Sequence, residues 1–380
     1  MTRPIYLDYN GTTPLDPEVL DAMLPFLGDE FGNPSSSHWY GIRPKQAVEA
    51  ARRQVAGLLG CLPEEVFFTS GGTESNNHAI KGMARALRFK GSHIVTSAVE
   101  HPAVLEVCTC LQAEGFETTR VAVDDWGMVD PGRVERALRP DTVLVTIMHA
   151  NNEVGTVQPV ASIAEAARAR GIAMHTDAAQ SLGKVPVEVS TLGVDLLSVA
   201  GHKIYAPKGV GALYVRTGLA PEKFCHGAGQ EGGWRAGTEN VAGIVGLGKA
   251  CEIAARDLAS AMAHMRELRN RLHEGITSRV PDVRLNGHPE HRLPNTLSLS
   301  FRGIEANRLL EEIGLKVAAS AGAACHAGSV AVSHVLEAMR VPVEWAKGTL
   351  RFTVGRMTTK AEIDRAVDVM AAAVAGLRAA

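Results

Sequence analysis

The 380-residue chain has no surplus charge of either sign. Its 39 Lys and Arg face 41 Asp and Glu, a formal net charge of −2 with pI near 6.7, so it lacks the electrostatic footprint of a partner for nucleic acid or an anionic membrane. Long apolar runs are missing too. Nothing approaches the length of a membrane span, and the opening Met1-Thr-Arg-Pro-Ile-Tyr-Leu-Asp8 meets a carboxylate before any apolar stretch develops. The expectation is a soluble, cytoplasmic protein. Cysteine is scarce: Cys61, Cys108, Cys110, Cys225, Cys251 and Cys325 are too few for a disulfide framework in a chain this long, and none forms Cys-x-x-Cys. Reduced thiols are expected. Two Cys-His dipeptides, Cys225-His226 and Cys325-His326, have no second pair nearby at ligand spacing, so no metal site is expected. No internal repeat, low-complexity tract or disordered linker interrupts the chain.

What is present is an alternation of short apolar runs with helical patterns through the first two thirds. Segments 66–69, 94–97, 143–147, 173–176, 196–199 and 211–215 read as strands, and 74–87, 163–170 and 241–272 as helices. That rhythm predicts an α/β fold, a mainly parallel sheet flanked by helices in a large domain. After about Arg279 the rhythm changes. Strands at 295–301 and 349–354 and helices at 305–313 and 360–377 predict a smaller α+β domain. The expected division places 15–258 in the large domain, with 1–14 and 259–380 in the small one.

Residues of chemical interest cluster just after the strands, where open α/β sheets place their ligands. Lys203, in Gly201-His-Lys203, and Asp177, in His175-Thr-Asp-Ala-Ala-Gln180, together point to pyridoxal phosphate. An aldehyde cofactor needs a lysine amine for its Schiff base, and its pyridine nitrogen needs a carboxylate to stay protonated as an electron sink. Thr69-Ser-Gly-Gly-Thr-Glu-Ser75 joins a strand to a helix; it reads as a phosphate cup containing Gly72 and Thr73, or as a helix capped by Ser70 or Thr73. His101 follows another strand, where an imidazole can lie on the pyridine ring and pass protons, or be a satisfied polar residue. Asn152, in a polar run, can meet the cofactor's phenolic oxygen or a substrate carboxylate, or form an Asn turn. Gln180 can reach the same oxygen.

Ala319-Ser-Ala-Gly-Ala-Ala-Cys-His-Ala-Gly-Ser329 has too few bulky side chains to pack a core and suits a mobile surface loop. Cys325 there is either a reactive thiol beside His326 or a structural cysteine. Gly227-Ala-Gly-Gln-Glu-Gly232 formally satisfies the dinucleotide fingerprint, with Glu252 about twenty residues on, but Gly233-Trp-Arg-Ala-Gly-Thr238 stands where a helix should begin.

Eight ordered motifs, running nearly end to end, resemble the class V group of fold-type I pyridoxal phosphate enzymes, and within it the cysteine desulfurases and selenocysteine lyases. They are Leu7-Asp-Tyr-Asn-Gly-Thr-Thr-Pro14, Phe31-Gly-Asn-Pro-Ser-Ser36, Thr69-Ser-Gly-Gly-Thr-Glu-Ser75, Val99-Glu-His101, His175-Thr-Asp-Ala-Ala-Gln180, Gly201-His-Lys203, Arg235-Ala-Gly-Thr-Glu-Asn240 and Arg351-Phe-Thr-Val-Gly-Arg356. The resemblance implies that Lys203 is the Schiff-base lysine, that Asp177 pairs with the pyridine nitrogen, that His101 stacks on the ring, and that Asn152 and Gln180 contact the phenolic side. It implies Thr73 and His202 at the phosphate, joined by Thr238 of a second subunit, hence a homodimer. Arg351 matches the arginine that binds the substrate carboxylate, and Cys325 matches the loop nucleophile.

The resemblance further implies conversion of L-cysteine to L-alanine, with a persulfide on Cys325 passed to an acceptor protein or small thiol. Two positions depart from the family pattern: Ala200 stands where many cysteine desulfurases have a phosphate-binding serine, and Gly232 where an arginine is common. Gly322-Ala-Ala-Cys-His326 and the aliphatic stretch before Gly201 look closer to selenocysteine lyases. Selenocysteine lyase is therefore the alternative substrate reading. A class V aminotransferase comes third, since transamination needs no nucleophile. A non-catalytic scaffold for sulfur-transfer partners is the reading from another class, and the joint presence of Lys203, Asp177 and Cys325 argues against it.

Overall fold

A computed structural model of the chain describes residues 3–321, 325–326, 329–330 and 332–379, with the four residues of 325–326 and 329–330 described by backbone alone. The chain opens with a short strand, β1 (Ile5–Tyr6), and two helices, α1 (Pro17–Leu27) and α2 (Trp39–Leu59). Asp16 starts α1 by accepting from the Glu18 amide at 2.9 Å, and Pro17 takes the first helical position, where a missing N–H leaves nothing unpaired. Strands β2 (Val66–Thr69), β3 (His93–Ser97), β4 (Glu117–Val121), β5 (Thr142–Thr146), β6 (Ala173–Asp177), β7 (Leu196–Ala200) and β8 (Gly211–Val215) follow. Between them lie helices α3 (Gly72–Ala86), α4 (Pro102–Ala113), α5 (Pro131–Ala137), α6 (Val160–Arg168) and α7 (Val189–Leu192).

Among the described residues these strands form a seven-stranded sheet in the order β2-β8-β7-β6-β5-β3-β4, parallel except where β8 runs against β2 and β7. Every residue of β5, β6 and β7 is buried, as a sheet covered on both faces requires. Strand β4 lies at the edge. Its sequence Glu-Thr-Thr-Arg-Val is polar and mostly uncovered, which is why no apolar run announces it.

A 37-residue helix, α8 (Val241–Thr277), leads into the second region. At 1.5 Å per residue it is about 55 Å long. The remaining elements are β9 (Val283–Asn286), β10 (Thr296–Phe301), α9 (Ala306–Ile313), β11 (Val317–Ala318), β12 (Ser320–Ala321), β13 (Cys325–His326), β14 (Ser329–Val330), α10 (His334–Ala338), α11 (Val343–Ala346), β15 (Thr349–Thr353) and α12 (Lys360–Ala379). Strands β12-β15-β10-β9 form an antiparallel sheet, and β1 pairs in parallel with β11, which carries the N-terminus onto this second layer.

Three apolar cores result among the described residues. The first fills the space around the large sheet, with Val55, Leu59, Val145, Ile147, Leu197 and Leu247. The second joins Leu7, Leu268, Leu272, Phe301, Phe352 and Met370. The third, with Ile80, Met83, Ile94, Leu111 and Leu144, packs α3 and α4 onto the large sheet. We keep the division at 258/259 as a proposal: along α8, Ile253 packs in the first core and Ala261 in the second. Val335, Leu336, Met339, Val341 and Ala346, from the stretch expected in the small domain, pack into the larger core. Among the described residues no helix is long and apolar enough to cross a membrane.

The formal dinucleotide fingerprint ends in a single 3₁₀ turn, Glu231–Gly233, with no helix behind it. Its glutamate has a structural task instead. Glu231 accepts two hydrogen bonds from the Arg52 guanidinium at 2.8 Å each and a third from the Phe68 amide at 2.7 Å, tying the loop to α2 and β2. Both side chains are almost fully buried. Glu231→Ala strands the Arg52 charge and the Phe68 N–H, and is expected to lower unfolding free energy by about 3–5 kcal/mol in denaturant titrations. A loss under about 1 kcal/mol would show that water replaces the carboxylate.

Candidate active site

The carboxyl ends of β6 and β7 and the turns after β2, β3 and β5 converge on one cavity of about 320 Å³. Asn10, Gly72, Thr73, His101, Asn152, Asp177, Gln180, His202, Lys203 and Arg351 all line it, together with Asn76 and Ala200. Of the expected site residues, Thr238 does not line it. Thr238 is exposed in the loop before α8.

Lys203 ends a 3₁₀ turn, Gly201–Lys203, that leaves β7 directly. The turn is tight because Gly201 lies against the Val210 carbonyl, where a side-chain Cβ would come within 2.9 Å of the oxygen. Lys203 Nζ donates to the main-chain oxygens of Asn10 at 2.6 Å and Gly11 at 2.7 Å. Burial, with Arg351 nearby, brings its pKa down to about 8, while Asp8 and Asp177 pull the other way. Such an amine is far more often neutral, and so nucleophilic, than a solvated lysine.

Asp177 is the last residue of β6 and buried. Its carboxylate accepts from Asn76 Nδ2 at 2.7 Å and from the Ala179 amide at 2.9 Å, so its orientation is set from two sides. Asn76 Oδ1 is buried without a partner among the described residues, an unused acceptor in the cavity wall. His101 caps α4: its Nδ1 accepts from the Ala103 amide at 3.1 Å, which leaves the proton of a neutral ring on Nε2. The ring is reached by solvent through the cavity, yet the protein packed around it lowers its pKa, with Asp177 opposing. Immediately before His101 lies Glu100, fully enclosed, its pKa pushed up to about 8 by burial.

No side chain caps α3, so Ser70 and Thr73 are not the helix caps considered above. Glu74 reaches back to the Ser70 amide at 3.0 Å and pairs with Arg235. The start of α3 thus presents its first amides with Gly72 and Thr73 at the cavity. Gly72 sits where a Cβ would lie 3.1 Å from the Ala200 methyl. His202, half-buried, shares a hydrogen bond of 3.2 Å with Thr12, and burial next to Lys203 lowers its pKa to about 4.

Arg351 comes from the other layer, on β15. It pairs with Asp8 at 2.6 Å and donates to the Asn152 carbonyl at 3.0 Å, while its Nε has no partner among the described residues. Arg356 lies elsewhere: it pairs with Asp16 at 2.8 Å over the Tyr205 ring. The side chain of Cys325 lies outside the described residues; its backbone pairs with Val330 in a short hairpin. Just beyond that hairpin, His334 Nε2 donates to the main-chain oxygen of Glu100 at 2.9 Å, the residue before His101. Among the cavity residues that carried no role in the sequence reading, Asn10, Gly11 and Asn76 bring hydrogen-bonding groups to the site.

The set fits the cofactor inferred from Lys203 and Asp177. A part-neutral amine, an oriented carboxylate, an imidazole, an open helix start and an arginine line a space suited to a phosphorylated, aldehyde-bearing pyridine. The sequence matches the aminotransferase class-V family over residues 5–366. The chain belongs to that family. Class-V enzymes of this kind depend on pyridoxal phosphate. Within the family, the chain is 49% identical over 379 residues to the cysteine desulfurase IscS of Dictyoglomus turgidum, covering 100% of this chain and 96% of that one. It is 47% identical over 377 residues to the cysteine desulfurase IscS of Methanosarcina thermophila, covering 99% and 93%. Among solved structures, a NifS-like protein superposes with a TM-score of 0.93 at 38% identity, covering 99% of this chain and 100% of that one. SspA in complex with cysteine superposes with a TM-score of 0.83 at 36% identity, covering 93% and 100%.

The lowered pKa gives a direct test on cofactor-free protein. Lys203 should react with an amine-directed reagent at a rate rising through a midpoint near pH 8, read by mass spectrometry of its peptide. A midpoint near 10.4, that of a free lysine, would mean that the amine is solvated.

Proposed function

We propose that the protein is a pyridoxal phosphate-dependent cysteine desulfurase that converts L-cysteine to L-alanine and carries the released sulfur as a persulfide on Cys325. Full-length identity to curated cysteine desulfurases supports the reaction. The single observation that carries the residue roles is the convergence of Lys203, Asp177, His101 and Arg351, from separate elements, on one cavity. When bound, the cofactor supplies an electron sink for a carbanion next to the substrate nitrogen.

The chain's own groups divide the remaining work. Lys203 anchors the cofactor through Nζ and, once released, moves the substrate's α-proton; its lowered pKa suits that task at neutral pH. Asp177, held by Asn76 and the Ala179 amide, keeps a proton on the pyridine nitrogen. His101 covers the ring face, and Asn152 and Gln180 serve the phenolic side. The start of α3 at Gly72 and Thr73, with His202, binds the phosphate. Because Ala200 brings no hydroxyl, more of that binding falls on these three residues and on Thr238 of a second subunit. The working unit is then a homodimer.

Arg351 binds the substrate carboxylate, for which its fork of donors is suited. Asp8 now occupies part of that fork, so substrate and Asp8 share it. Cys325 as thiolate attacks the substrate's sulfur, the carbon–sulfur bond breaks, and the carbon fragment is reprotonated to alanine. A sulfur-acceptor protein or small thiol then takes the sulfur. The five cysteines whose side chains are described are free thiols, which supports a reducing, cytoplasmic setting. Selenocysteine lyase is kept as the second reading on the stretch Gly322-Ala-Ala-Cys-His326.

Alanine release from L-cysteine and from L-selenocysteine, by wild type and Cys325→Ala, tests the proposal. Wild type should form alanine from cysteine, and Cys325→Ala should lose that activity by about 10²-fold or more, as expected when an essential nucleophile is removed. Alanine from selenocysteine alone would replace the first reading with the second. Full cysteine activity in Cys325→Ala would remove the persulfide role.

A further inference from the structure

Behind Lys203 lies a second lysine that the reaction does not use. Lys184 follows β6 by a turn and is only 5% exposed, an unusual state for an ammonium-bearing side chain with no carboxylate among its hydrogen-bond partners. Its Nζ donates to Gln180 Oε1 at 3.0 Å and to Asn10 Oδ1 at 3.2 Å. Gln180, also buried, donates in turn from Nε2 to the main-chain oxygen of Asn10 at 3.0 Å, the same oxygen that receives Lys203 Nζ.

The directions of these bonds are forced. A main-chain carbonyl only accepts, so Gln180 must turn its NH₂ group toward Asn10. Its carbonyl oxygen then points at Lys184, where an amine donates in either protonation state. With one hydrogen on Asn10 and the oxygen held by Lys184, Gln180 keeps its second N–H hydrogen for the cavity it lines. Burial, together with Lys203 and Arg351 close by, holds the Lys184 amine well below the usual lysine range, so the donor comes without a full charge behind the cofactor anchor.

We propose that Lys184 is a positioning residue for the cofactor: by holding the Gln180 oxygen and the Asn10 side chain, it keeps the Gln180 NH₂ group as a donor toward the phenolic side of bound pyridoxal phosphate. The proposal rests on the cofactor reading above. Lys184 itself touches no reacting atom. Without it, Gln180 Oε1 is a buried acceptor with no donor, and the amide rotates to find one.

Equilibrium binding of pyridoxal phosphate to cofactor-free protein, followed by visible absorbance, is measured for wild type, Lys184→Met, Gln180→Leu and the double variant, with thermal melting alongside. Lys184→Met and Gln180→Leu should each weaken binding about fivefold, the worth of one hydrogen bond, and the double variant should be no weaker than the weaker single. The pH midpoint of the absorbance band should move upward in both singles, because a phenolic oxygen with one donor fewer holds a shared proton more strongly. Unchanged affinity and midpoint in Lys184→Met, whatever its melting temperature, would reduce Lys184 to a structural plug and overturn the proposal; so would penalties that multiply in the double variant. If Lys184→Met does not fold, Lys184→Gln, too short to reach Oε1, replaces it with the same outcomes. Cofactor uptake by Lys203→Ala indistinguishable from wild type would instead remove the underlying reading of the site.

Discussion

One buried asparagine joins the two layers of this enzyme. Asn10 is 1% exposed and uses every polar atom it has. Its amide N donates to Thr353 on β15, and its Nδ2 to Thr296 on β10 and to the Asn152 carbonyl. Its Oδ1 accepts from Asn295 and Lys184, and its main-chain oxygen from Lys203 and Gln180. Thr353, Thr296 and Asn295 belong to the small antiparallel layer, and Asn152, Gln180, Lys184 and Lys203 to the turns of the large sheet. In a low-dielectric interior such a network admits few alternative arrangements, since each lost bond leaves a buried group unpaired. The cavity is built around that point. The relative position of Arg351 and Lys203 is therefore set by polar bonds at their junction as well as by the apolar cores.

The chemistry of the site follows from how each group is held. Lys203 would be an ordinary cation on the surface; packed beneath Arg351 with carbonyls on its amine, it becomes an amine that titrates near neutrality. Asp177 keeps its direction through Asn76, and His101 keeps its tautomer through the α4 amide it caps. Lys203, Asp177 and His101 are thus each oriented by a neighbouring group, the condition under which a few hydrogen bonds can organise proton transfer.

Much of this was legible in the residues. Buried strands are continuous apolar runs, so β5 to β8 stood out, and chemical residues placed directly after such runs marked the crevice. Lys203, Asp177, His101, Gln180 and Arg351 line one cavity, and the roles the motifs imply for them are those proposed above. The edge strand β4 escaped because half its side chains face water. Helix α2 was obscured by Pro44 in its first turns and a weakly amphipathic pattern. Asn10 and Lys184 were overlooked for a different reason: a buried lysine and a surface lysine have the same letter, and only the fold reveals which one lost its water. Asn76 was likewise hidden four residues into a helix whose start drew attention to the phosphate. Thr238 shows the opposite limit, because its expected role belongs to a second copy of the chain.

The length of α8 has a mechanical consequence. A single uninterrupted helix supplies Ile244, Leu247 and Ile253 to one core and Met265, Leu268 and Leu272 to the other. Neither core can disperse without stripping the packed face from half of a rod that the other still grips. The two layers are thereby made to melt together, and a chain cut anywhere along this helix would leave two halves, each missing one wall of its interior.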